Sequence, residues 1–215
     1  MSSYKVIAKV SMTLKDILWE AFSDPGDEII NIVGNDKEQA IVFKNPTETA
    51  KKSANKLSVW LYQITENEYL KNQPMMRLPA RPANGNGQQN LPERLQYPPL
   101  ALNLFYLITP FASQDGDDGR ADHRLLSKTM EVLYDNAIIV VRDEAEDIAE
   151  ELRIILCRLT LEELTRIWEA LREPYRLSVC YQVRVARIDS QRMPETARII
   201  EQRSGYSDRA GSETE

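Results

Sequence analysis

A chain of 215 residues, 42% hydrophobic and 28% charged, has ordinary globular composition and is long enough for one sizeable core. Thirty-three acidic side chains against 27 basic ones give a net charge of −6 without a basic cluster, which sets aside phosphate-directed binding of nucleic acid. No window reaches the roughly 18 consecutive apolar residues of a spanning helix, and the first residues lack the basic-then-apolar pattern of a secretory leader, so synthesis and folding in the cytosol are expected.

The first element is a helix. Val6, Ile7, Val10, Leu14, Ile17, Leu18 and Ala21 recur at helical spacing, and Asp24-Pro25-Gly26-Asp27 stops the pattern. The runs at 29–33 and 40–43 are short strand candidates joined by the turn Gly34-Asn35-Asp36. Residues 57–64 predict a central strand with both faces apolar, Leu57, Val59 and Leu61 on one and Trp60, Tyr62 and Ile64 on the other. Six of the eleven prolines then fall within 71–99, too many for a regular element, so this segment is a long loop of the kind that carries function or stays unordered.

Pro98 and Pro99 guard the entrance to the most apolar stretch of the chain, residues 97–112. Prolines are tolerated at the start of a strand and not inside a helix. Leu100, Leu102, Leu104, Tyr106 and Ile108 alternate with Ala101, Asn103, Phe105, Leu107 and Thr109, which predicts a long strand covered on both sides and closed by Pro110. Asn103 is its one amide and needs a partner.

Asp122 is placed to cap a helix with Leu125, Leu126, Met130 and Leu133 on its apolar face. Six acidic side chains within 142–151 predict a solvated loop or a short exposed helix, and residues 152–159 another strand. Thr160 and Glu163 form a capping box ahead of a helix whose apolar face is Leu161, Leu164, Ile167, Trp168 and Leu171, ending before Pro174. In 175–189, Tyr175, Leu177, Val179, Tyr181, Val183 and Val185 alternate with Arg176, Ser178, Cys180, Gln182, Arg184 and Ala186, a strand with one face packed and the other half wet. Beyond that the chain turns polar.

Together these elements give an α+β fold, a mainly antiparallel sheet of four or more strands covered by about three helices. Residues 1–190 are expected to form one domain, with the loop at 71–99, and 191–215 a polar tail that is disordered or orders on a partner.

The residues that carry chemistry are scarce. His123 is the only histidine and lies beside a helix start, away from any ligand-spaced partners. Cys157 and Cys180 sit in apolar strand-like runs and read as buried, reduced thiols. The Gly85-Asn86-Gly87 run has neither strand before it nor helix after it, so it is no phosphate loop, and a nucleophile would have only His123 to activate it. No cofactor, metal or catalytic residue is expected. A sheet, a long loop and a polar tail are equipment for contacting other proteins.

A resemblance gives that reading a name. Pro98, Pro99, Leu100, Leu102, Leu104, Tyr106, Leu107 and Thr109, then His123, Leu126 and Leu133, then Leu159, Leu164, Trp168, Pro174, Tyr175, Ser178, Tyr181 and Val183 stand in an order and spacing that resembles the cap, or tail-terminator, proteins of extracellular contractile injection systems, the antifeeding-prophage and Photorhabdus virulence cassette type. The likeness runs from about Leu14 to Ile188. It departs at Asn103, where an acid is expected, and at Ser127, where the glycine of a helix–strand packing point is expected.

The resemblance implies a structural protein, not an enzyme. Its partners would be itself, in a homo-hexameric ring, the inner tube protein and the sheath protein, the last engaged by adding strands to an exposed edge. Loop character and composition nominate the contacts: Arg77, Arg81 and Arg94 in the loop, and Arg192, Ile199, Ile200 and Tyr206 in the tail. An adaptor at the baseplate or tube of the same kind of particle is the alternative, with a small-ligand or enzymatic domain behind it.

Overall fold

A computed structural model describes residues 4–78, 94–113, 119–143, 148–190 and 192. In chain order the elements are α1 (Val6–Phe22), α2 (Ile29–Val33), α3 (Lys37–Ala40), β1 (Ile41–Val42), α4 (Pro46–Ala50), β2 (Leu57–Glu66), β3 (Met76–Leu78), β4 (Arg94–Gln96), β5 (Leu100–Pro110), α5 (Arg120–Asp135), β6 (Ile138–Asp143), β7 (Ile148–Cys157), α6 (Leu161–Leu171) and β8 (Val179–Ile188).

Six strands form one mixed sheet in the order β1-β2-β5-β8-β7-β6, with only the β1–β2 pair parallel; β3 and β4 form a separate two-stranded ribbon. The fold is α+β as expected. The 97–112 stretch contains β5, which sits between β2 and β8. Its even positions Leu102, Leu104, Tyr106 and Ile108 are buried in the main core, and Ala101, Leu107 and Thr109 are buried on the opposite face.

Against the core face lie α1, through Val6, Val10, Leu14, Leu18 and Phe22, and α5, through Leu125, Leu126, Val132 and Leu133. The Ser11 and Tyr106 hydroxyls lie 2.9 Å apart, tying α1 to the middle of the sheet, and burial pushes the Tyr106 phenol up to about 12.

Two β-bulges rewrite the side-chain alternation. Trp60 pairs with Leu107 and Gln63 with Phe105, so one residue is inserted in β2 between them. Ile64 consequently stands opposite Leu104 and not on the face of Trp60, as strict alternation predicts. On β8, Arg184 pairs with Asn103 and Ala186 with Leu102, leaving Val185 as the extra residue. That turns Ala186 into the core, fully buried, where the period-two reading puts it with the arginines.

Other expectations change for local reasons. Residues 29–33 are a helix: the Ile29 N–H donates to the Asp27 carboxylate at 3.0 Å, Ile29 and Val33 are buried one turn apart, and Gly34 ends it at φ 74°. Five β-branched and amide residues carry too little pattern to separate the two periods. The two ends of the acidic run lie in paired strands, with Ile138 to Asp143 in register against Arg153 back to Ile148, while residues 144–147 lie outside the described residues. Glu151 points to the wet face, opposite Val140, while its neighbour Glu150 falls on the other face, opposite buried Val141. β2 is flanked by β1 only at Leu57 and Ser58, so it is central at its start and an edge for the rest. The strand expected at 175–189 begins at Val179, because Tyr175, Arg176 and Leu177 are exposed.

The capping box is as expected: the Glu163 N–H donates to Thr160 Oγ1 at 3.2 Å and the Thr160 N–H to the Glu163 carboxylate at 2.7 Å. The helix behind it buries less than its face suggests, for Leu161 is 68% exposed while Trp168 is 2% exposed. Trp168 donates from Nε1 to Ser178 at 3.3 Å and meets the Tyr175 ring edge-on.

Asp122 is not the cap of α5; Gly119, at φ 78°, holds that position. The Asp122 carboxylate instead accepts the N–H groups of Ala112 at 2.6 Å and Ser113 at 2.9 Å, pinning the exit of β5 to the first turn of α5. Asp122→Ala leaves both donors without that acceptor in a half-buried site. A loss of about 1–3 kcal/mol in urea unfolding is expected; a surface cap alone would give less.

Candidate interaction surfaces

The segment expected as a loop at 71–99 has paired roots. Residues 79–93 lie outside the described residues; Met76, Arg77 and Leu78 run antiparallel to Gln96, Leu95 and Arg94, so the chain after β2 and the chain before β5 are joined as a two-stranded ribbon. Asn67 locks its departure point. Its N–H donates to the Ala101 carbonyl at 2.8 Å, its Nδ2 to Asn103 Oδ1 at 3.1 Å, and its Oδ1 accepts the Tyr69 N–H at 3.1 Å. Asn103 thus has the partner its place in the strand demands.

The nominated contact residues divide. Arg77 lies in β3 and Arg94 in β4, one pair step from each other across the ribbon. Arg192 places its guanidinium 5.4 Å from the centre of the Tyr97 ring, a cation–π contact that brings the start of the tail to the end of the ribbon's second strand. Arg81, Ile199, Ile200 and Tyr206 lie outside the described residues, as does most of the tail.

Composition alone does not disclose the two open sheet edges. Among the described residues β2 has no strand beside it after Ser58, and β6 has none on its outer side. The edges differ. The β2 edge is broken by the bulge, and bulges discourage a further strand. The β6 edge keeps regular register and carries Ile138, 56% exposed, and Val140, 44% exposed, on the face away from the core. A regular, β-branched, apolar edge is one that folded proteins cover. The signal was present in the run Ala137 to Val141, which the acidic residues after it obscure.

On that same outer face Arg153 and Arg184 are exposed and directly opposite each other in β7 and β8, with no carboxylate at ion-pair distance among the described residues. Like charges so placed repel. Half-buried Trp60, Tyr62 and Phe105 lie further along, with ring centres 6.1 and 6.4 Å apart in turn.

An open groove of about 710 Å³ separates the turn after α1 from α5, with His123 on its rim and Ser127 exposed along it. Ser127 is therefore not at a helix–strand packing point. The charges here are satisfied locally: Lys128 Nζ lies 3.0 Å from Asp27 and 3.3 Å from Glu131, and Arg124 lies 3.3 Å from Glu28. No group of three or more His, Cys, Asp or Glu suited to a metal ion occurs among the described residues.

The Ile29 N–H and Lys128 hold the Asp27 carboxyl below its ordinary 3.8, and Asp27 in turn raises the Lys128 ammonium. The Asp27 contribution to stability is complete above the ordinary carboxylate range and is lost as pH falls through its depressed value. The Lys128 contribution is complete below its ordinary 10.5 and is lost as pH rises past that. Asp27→Asn is therefore expected to lower the thermal midpoint at neutral pH, with the gap to wild type closing below ~pH 4. A gap that persists in acid would assign the loss to packing.

The architecture is that of a tail-terminator fold. It superposes on the PVC sheath/tube terminator of an extracellular contractile injection system in its extended state, with a TM-score of 0.58 and 20% identity over 100% of this chain and 67% of that one. It also superposes on the tube-terminating cap of the anti-feeding prophage, with a TM-score of 0.52 and 19% identity over 92% of this chain and 60% of that one. The chain thus spans about two thirds of the length of the first of these proteins and about three fifths of the second. It belongs to the Pvc16 N-terminal domain family, whose pattern matches residues 9–202. No curated protein sequence matches it. No helix among the described residues is long and apolar enough to cross a membrane.

Proposed function

We propose that the chain is the cap of a contractile injection system. Six copies close into a ring on the distal end of the inner tube and sheath, stop further growth and couple the two cylinders when the sheath shortens. The observation that carries this reading is membership of the Pvc16 N-terminal domain family along nearly the whole chain; the solved structures of like fold, a sheath/tube terminator and a tube-terminating cap, point the same way. A ring of identical copies uses one heterologous contact that closes on itself.

The β6 edge is the surface offered to the sheath. It takes an extended sheath segment as a further strand, because it is regular, apolar and open, whereas the bulged β2 edge resists pairing. The 71–99 segment with Arg77, Arg81 and Arg94, and the tail from residue 191 with Arg192, Ile199, Ile200 and Tyr206, engage the tube and the neighbouring copy. Residues 1–190 act as one body in this scheme. The role calls for no cofactor and no catalysis, and assembly takes place in the cytosol before the particle is released or anchored.

Negative-stain images of the purified chain with short tubes should show six-fold caps on tube ends. A strain lacking it should make tubes and sheaths of scattered length. Particles of uniform length without this chain would overturn the reading.

A further inference from the structure

Cys157 and Cys180 are directly opposite each other, Cys157 the last residue of β7 and Cys180 the second of β8. Both are free thiols. We propose that this pair is a redox site, closing to a cross-strand disulfide when the protein meets a small-molecule disulfide outside a reducing compartment. The inference is independent of the cap reading.

The two sulfurs are unequal. Cys157 is half-buried, with its Sγ 3.9 Å from the Ile155 carbonyl oxygen, and the neighbouring Cys180 thiol holds the Cys157 thiol below its ordinary value. Cys180 is 2% exposed, and the contact with Cys157 together with burial pushes its thiol far up. The Tyr62 hydroxyl lies 3.2 Å from the Cys180 sulfur, reaching it from β2.

An accessible thiol with enhanced thiolate character beside a shielded one is the arrangement of an attacking and a resolving cysteine. The Cys157 thiolate attacks one sulfur of a disulfide RSSR, forming Cys157–SR and releasing RS⁻. The Cys180 thiol then loses its proton and attacks the Cys157 sulfur, forming the Cys157–Cys180 bond and releasing the second RS⁻. The two protons given up by the cysteines end on the two RSH products, and the two electrons taken from the cysteines reduce RSSR. Neighbouring antiparallel strands hold paired residues at the separation a disulfide spans.

The test uses the full chain and oxidised glutathione, with intact mass and trypsin mapping under non-reducing conditions. Incubation should leave a monomer lighter by two hydrogen atoms and no free thiol on titration in denaturant. The map should join the peptide 154–158 to the peptide 177–184, which the arginines at 153, 158, 176 and 184 define. Cys180→Ser should stop at a glutathione adduct on Cys157, and Cys157→Ser should remain unmodified. Two titratable thiols after incubation, a lasting adduct on the wild-type chain, or disulfide-linked dimers would each overturn the proposal. The wild-type mass decides even if a variant fails to fold.

Discussion

Truncating Leu104 to alanine is expected to lower folding stability by about 2–5 kcal/mol, the range for a large aliphatic side chain removed from a close-packed interior. Leu104 has no exposed surface and stands between Ile64 on β2 and Val183 on β8. Those neighbours are fixed by backbone pairing on both sides of β5, so the walls have little freedom to collapse into the space. Urea unfolding should show a lower midpoint with an unchanged slope. Leu161→Ala provides the contrast. It sits on what looks like the apolar face of α6 but is 68% exposed, and its loss should stay within about 0.5 kcal/mol. Equal costs at the two positions would mean that the core does not lie where the sheet register puts it.

The second large effect concerns assembly rather than folding. The double change Ile138→Lys and Val140→Lys charges the outer face of the β6 edge. Both side chains are about half exposed, so the isolated chain should unfold within about 1 kcal/mol of wild type. Charged side chains on an edge are how proteins refuse a further strand. Attachment to the sheath should therefore fall by at least ~tenfold, or ~1.4 kcal/mol, read as loss of the chain from purified particles. The matched double change Gln63→Lys and Thr65→Lys, on the bulged edge, should leave incorporation near wild type. Uncapping by the second pair but not the first would transfer the docking role to β2; normal incorporation of both would remove strand addition from the mechanism.

How much of this was legible beforehand follows from pattern length. α1 spans 17 residues and β5 spans 11, long enough for their periods to declare themselves, and the Thr160–Glu163 capping box is a local code that needs no tertiary context. Residues 29–33 are too few to reveal a period, and their β-branched content leans the wrong way. The bulges at β2 and β8 are invisible to any alternation rule, because one inserted residue reverses every assignment beyond it. Asp122 has the right type and place for a cap, yet Ala112 and Ser113, ten and nine residues upstream, claim its oxygens. Of the candidate contacts, composition points to Arg192, but its meeting with Tyr97 depends on where β8 ends relative to β5. The open β6 edge needed the whole strand order before it could be recognised as an edge.

The Asn67–Asn103 contact has a consequence for how the junction of β2 and β5 responds to acid. Neither carboxamide gains or loses a proton between acid and alkaline solution, whereas a carboxylate at 103 would surrender its charge in the acid part of that range. The end of β2 and the start of β5 should therefore stay joined at this point throughout, and any acid-triggered rearrangement must originate elsewhere in the molecule.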